Sequence, residues 1–298
     1  MSVDASTYHD RPVLKEPVWI WSVPVYFYVG GMSGAAGTLG AIARLRGDDL
    51  DGLVVRCRRL AAAGSIVGSV LLVIDLGRPE RFLNMLRVFR PTSALSVGSW
   101  VLAAHGGAST AAVALTGRGR FASGLGELAG VVAGATGLPM SGYTGVLLGD
   151  TAVPLWQAAR RSLPFLFVAS AAASAASALE AMDLSEREHR VVRRFGLGAK
   201  VFELMAMRAV ERDAGAIERV GRPLKEGLSG SLWRAARSAA LGTLALGAVP
   251  EAGKRRRALA AVLGSAASLA LRAALFQAGK VSSRDPRATF EQQRERMS

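Results

Sequence analysis

Two side chains in this sequence are suited to proton chemistry at the edge of a membrane, a carboxylate at Asp75 and a phenol at Tyr143. Asp75 closes an apolar run, GSIVGSVLLVI, and opens the charged stretch DLGRPERFLNMLRVFRP, which holds Arg78, Arg81 and Arg90. A lone charge in hydrocarbon is costly, so intramembrane charges pair with one another or line a polar cavity. Asp75 can therefore trade a proton with a ligand in reach of water. It can equally form an ion pair with Arg78 that only fastens the helix end before Pro79. Tyr143 lies in GLPMSGYTGVLLGD, where Pro139 between glycines is expected to break or kink the helix and leave backbone groups seeking partners. A phenol donates a hydrogen bond to a carbonyl while its ring packs on an apolar headgroup. A quinone offers carbonyls on an apolar ring and takes up protons together with electrons. The other reading of Tyr143 is a tyrosine of the interfacial belt.

These residues need elements to position them. Half of the 298 residues are hydrophobic, with glycine and alanine dominating the long apolar runs. Small residues at spacing four, as at Gly30 and Gly34, let helices approach closely in lipid. A bilayer takes about 20 apolar residues per span. On that ruler the chain is an all-α integral membrane protein, a bundle of about eight transmembrane helices over 18–42, 60–76, 93–116, 125–148, 155–182, 194–210, 232–249 and 258–278. The sixth is the most polar, with Lys200, Glu203 and Arg208. Residues 1–17 form a polar N-terminal tail, 18–279 the membrane domain and 280–298 a charged C-terminal tail. The tail ahead of the first span lacks the basic start of a signal peptide, so that span is expected to act as its own insertion signal.

An even number of spans puts both termini on one side. The same alternation brings the starts of spans one, three and five and the ends of spans two and four to that side. Trp19, Trp21 and Tyr26, which open the first span, thus share a membrane depth with Asp75, Arg90, Tyr143, Trp156 and Arg160, and one pocket there is expected. Arginine is plentiful in the loops of both sides, so the positive-inside rule does not orient the bundle.

The formal net charge is +14, but the basic residues are spread over loops, without a basic domain or an RNA-binding motif. No nucleic acid is expected; anionic membrane lipids and an acidic partner surface are. A single cysteine, Cys57, excludes a disulfide framework and an iron–sulfur cluster held by this chain. Of three histidines, only His105 lies in an apolar run, so bis-histidine haem is excluded; a hydrogen bond to a neighbouring helix suits His105 better than ligation of a metal.

DLGRPERF followed by RPTSALSVGSW, then YTGVLL, FELMAMRAVERD and RAALFQAGKVSSRDPRATFEQQR resemble the polysulfide reductase membrane-subunit family of the NrfD/PsrC type. The resemblance runs from Pro17 onward. It implies an eight-helix anchor in the inner or plasma membrane that binds quinone, menaquinone or ubiquinone. It also implies a ferredoxin-like iron–sulfur subunit as partner and a molybdopterin oxidoreductase subunit beyond it. By the same resemblance Asp75 and Tyr143 are quinone-binding; Tyr26 and Trp21, at the same depth, are added as quinone-binding residues, because the first span lacks the histidine or asparagine that some members use there. Arg78, Arg81 and Arg90 dock the partner or position Asp75, and Glu203 belongs to a proton route; Glu127, where span four begins on the other side, either starts such a route or caps its helix. No catalytic residue, metal, haem or cluster is expected on this chain. A secondary transporter and a purely structural anchor for an iron–sulfur protein are the competing readings, the former kept open by the Gly/Pro interruption of span four.

Overall fold

The computed structural model describes residues 13–77, 80–249 and 253–297, without the side chains of 48, 81, 83 and 293–297. The apolar runs form α1 (Ser22–Leu45), α2 (Asp51–Leu76), α4 (Ala94–Leu115), α5 (Arg120–Gly149), α7 (Leu163–Glu180), α8 (Glu186–Gly215), α10 (Gly227–Ala248) and α11 (Lys254–Ser283). Between and after them lie the short α3 (Glu80–Asn84), α6 (Pro154–Ala158), α9 (Glu218–Gly221) and the terminal α12 (Pro286–Met297). Each expected span overlaps a long helix, the fifth taking in α6 as well as α7, and α2, α5, α7 and α11 are long and apolar enough to cross a membrane by length and composition.

Polarity is arranged for lipid. Ile66, Val67, Val70 and Ile74 of α2, and Leu128, Val131 and Leu138 of α5, face outward, while Ser33, Ser65, His105, Ser109, Ser170, Lys200, Glu203 and Arg272 are buried. Helix α8 shows the same inversion within a few residues: Val201, Phe202 and Met205 are exposed beside buried Lys200 and Glu203. In lipid the interior is where polar groups find partners. His105 does so, with Nδ1 on the Ala133 carbonyl at 3.0 Å and Nε2 on Ser33 Oγ at 3.1 Å, which joins α4 to α5 and α1. At Gly34 and Gly137 the backbones of α1 and α5 touch, and a Cβ on either would run into the other's carbonyl.

Several boundaries differ from the sequence reading. Helix α5 runs unbroken through Pro139. The fifth span is not continuous: Pro154 starts α6, Pro164 lies in the first turn of α7, and a turn at 159–162 separates them. Within the charged C-terminal segment, α12 buries Ala288 and Thr289, and Gln292 donates to the Pro154 carbonyl at 3.0 Å.

The start of α1 and the end of α11 are clasped. Arg284 donates to both Glu16 oxygens at 2.8 and 3.0 Å, and Lys280 lies 3.7 Å away. The Arg284 hydrogen bond holds the Glu16 carboxyl below the usual carboxylate range. A depressed folded-state pKa makes this contribution complete above the ordinary carboxylate value and removes it as pH falls through the folded one. Amide exchange in residues 18–22 is expected to rise at low pH in the wild type and to be already raised at neutral pH in Glu16→Gln.

Candidate functional site

The end of α2 and the start of α1 are built around one carboxylate. Helix α2 stops where Gly77 takes a left-handed conformation at φ 65°, and Asp75, in its last turn, is half-buried. Asp75 Oδ1 accepts the Ile20 backbone N–H at 3.3 Å and the Ser22 hydroxyl at 3.5 Å. Trp21, the N-cap residue of α1, provides no side-chain cap, and Asp75 holds the segment that leads into the helix through Ile20 and Ser22. The expected pairing of Asp75 with Arg78 lies outside the described residues, and Arg81 is placed by its backbone alone.

Two phenols face this carboxylate across a void. Tyr26 of α1 and Tyr143 of α5 hydrogen-bond through their hydroxyls. Two hydroxyls share one proton between them, which leaves one O–H of the pair for a third group. The Tyr143 ring lies against Gly98 of α4, and the Tyr26 ring against Gly68 of α2; at Gly98 there is no room for a Cβ. Glycine is what lets the rings approach these helices so closely.

The cavity so enclosed has a volume of about 160 Å³, and Asp75, Tyr26 and Tyr143 all line it. Its other walls are mainly apolar, among them Trp19, Phe27, Leu102 and, from α3 and the turn after it, Phe82, Met85 and Leu86. Trp19 stacks on Trp156 with centroids 5.9 Å apart, and the Trp156 indole N–H donates to the Leu275 carbonyl at 3.0 Å, which ties this wall to α11. An apolar void of about 150 Å³ accepts one benzene-sized ring. The site therefore fits a flat ring carrying an acceptor toward the phenols, near a carboxylate.

Other predicted residues fall elsewhere. Trp21 points outward and is 64% exposed, and Trp19 takes the place expected for it. Arg90 is exposed, its backbone N–H donating to Ser96 Oγ at 3.0 Å. Glu127 sits toward the opposite end of the bundle, gripped by Arg58 at 2.8 Å and Arg44 at 3.1 Å, a fastening of α1, α2 and α5. Glu203 is buried on Lys200 near Ser268 of α11. The pocket residues missed in the sequence, Phe82, Met85 and Leu86, do carry a signal, the i, i+3, i+4 spacing of an apolar helical face. Among the described residues no group of His, Cys, Asp and Glu is arranged to hold a metal ion.

A family model described as polysulphide reductase, NrfD matches residues 7–210. No curated protein matches the sequence.

Proposed function

From the chain's membership of the polysulphide reductase NrfD family, a family of membrane subunits of quinone-linked oxidoreductase complexes, we infer that this multi-pass membrane protein binds quinone in the cavity between α1, α2, α4 and α5. It passes electrons between the membrane quinone pool and a ferredoxin-like iron–sulfur subunit serving a molybdopterin catalytic subunit, in the inner or plasma membrane. The observation that carries this reading is the convergence of Asp75, Tyr26 and Tyr143 on one ring-sized apolar void.

A bound quinone supplies the redox chemistry; the residues supply position and protons. The free O–H of the Tyr26–Tyr143 pair is placed to donate to a carbonyl, while Trp19 and Phe27 pack on the ring. Asp75 holds a proton acceptor at the pocket edge, and the α3 segment covers the ring from solvent. We assign Arg90, with Arg78 and Arg81, to docking the partner on this side, where the Glu16–Arg284 clasp supports placing both termini. Glu203 is assigned to a proton route through the interior. Glu127, already held by two arginines, is read as a fastening. The structural-anchor reading has one observation in its favour, the hold of Asp75 on the segment leading into α1.

The two readings separate on substitution. Asp75→Asn keeps an acceptor for the Ile20 N–H and Tyr143→Phe keeps the ring, so both variants are expected to fold. Quenching of Trp19 by a soluble quinone analogue in nanodiscs is expected to saturate. Its Kd should weaken about fivefold to tenfold in Tyr143→Phe, the loss of one hydrogen bond. Unchanged Kd values in both variants would leave only the anchor.

A further inference from the structure

At the end of the bundle away from the phenols, the last turn of α7, the first turns of α8 and the facing ends of α10 and α11 enclose a cleft of about 610 Å³. Among the described residues its lining is mainly basic. Arg190 and Arg193 of α8 and Lys254, Arg256 and Arg257 of α11 line it, against Glu180 and Glu186. Glu186 is largely exposed and already occupied by Arg257 at 3.4 Å, and Arg193 donates to the Val249 carbonyl at 3.2 Å. Arg256 Nε is enclosed and has no hydrogen-bond partner among the described residues. A desolvated guanidinium donor without an acceptor is a deficit that an anion removes, and guanidinium forks match phosphate in shape.

We propose that this cleft binds a phosphate-bearing anion, the headgroup of an anionic phospholipid. The cleft is of the size of ligand pockets generally and lies where helices end, at headgroup level. Its wall continues into apolar surface: Leu246 and Ala260 line it, and on α10 and α11 Val249, Leu259 and Val262 are exposed. A soluble phosphate ester would use the basic residues alone, whereas a lipid uses the apolar wall as well. Basic pockets between membrane helices are established headgroup sites. The inference is independent of the quinone reading and concerns the other end of the molecule.

Native mass spectrometry of the detergent-purified chain, titrated with dioctanoyl phosphatidylglycerol, dioctanoyl phosphatidylcholine, glycerol 3-phosphate and inorganic phosphate, tests it. Phosphatidylglycerol is expected to bind at least tenfold more tightly than phosphatidylcholine. In Arg193→Gln with Arg256→Gln that preference should fall about tenfold, the loss of charge-assisted hydrogen bonds. Arg190→Gln with Lys254→Gln, both exposed, supplies a variant in which the fold is not at stake and a smaller loss is expected. Glycerol 3-phosphate or phosphate binding as tightly as the lipid would overturn the lipid assignment and leave a soluble phosphate site. Equal affinity for both lipids, or affinities unchanged in both variants, would overturn the site itself.

Discussion

Glu203→Leu is expected to lower stability by about 3–5 kcal/mol, because it leaves two cations buried without their counter-charge. Glu203 and Lys200 are 1% and 2% exposed and paired one helical turn apart on α8. Arg272 of α11, also 1% exposed, stacks its guanidinium 3.9 Å from the Phe167 ring centroid and donates to the Phe167 carbonyl at 3.1 Å. Two of its nitrogens have no hydrogen-bond partner among the described residues, and Glu203 of α8 acts on it electrostatically. Removing both members of the α8 pair, as Lys200→Met with Glu203→Leu, is expected to recover the part of the loss that belongs to Lys200, since apolar replacements of a buried pair are often tolerated, and to leave the part that belongs to Arg272. The single cysteine provides the readout: Cys57 is buried, and a thiol-reactive dye labels it only as the bundle opens. A Glu203→Leu protein with an unchanged labelling midpoint would show that the pair contributes little.

The second large effect is steric. Gly98→Val puts side-chain carbons where the Tyr143 ring lies, against the α4 backbone. The ring must swing away, break its contact with the Tyr26 hydroxyl and invade the cavity. Overpacking of this kind costs about 1–3 kcal/mol in stability. Binding should suffer more, because both the donor and the space for a ring are lost, and we expect quinone-analogue affinity to fall at least tenfold. Adding Tyr143→Ala to Gly98→Val should restore the Cys57 labelling midpoint without restoring affinity. Retained affinity in the single variant would mean that the ligand sits elsewhere.

How much of this was legible varies with the kind of signal. Counting apolar runs placed Tyr26, Asp75 and Tyr143 at one depth although 117 residues separate the two tyrosines, because alternation of long helices is a strong constraint. The choice between Trp19 and Trp21 was not available: α1 begins at Ser22 rather than at 18, and which residue of the preceding extended segment turns inward is set by stacking on Trp156. The charged stretch after Asp75 drew attention to its arginines and hid the apolar face of Phe82, Met85 and Leu86. Pro139 between glycines reads in the sequence as a break, whereas α5 continues through it. Lys200 and Glu203 could be paired from their spacing, whereas nothing local in the sequence brings Arg272 to them, 69 positions beyond Glu203. The match to the NrfD family bears out the resemblance drawn from DLGRP, RPTSALSVGSW and YTG.

The central claim, that quinone occupies the cavity of Asp75, Tyr26 and Tyr143, is tested most directly by photolabelling with an azidoquinone and mapping the modified peptides. The account predicts label on residues 19–27, 72–76, 82–102 and 143–147, competed by unlabelled quinone and lost in Gly98→Val. Competed label confined to other segments, such as α8, α10 or α11, would contradict it.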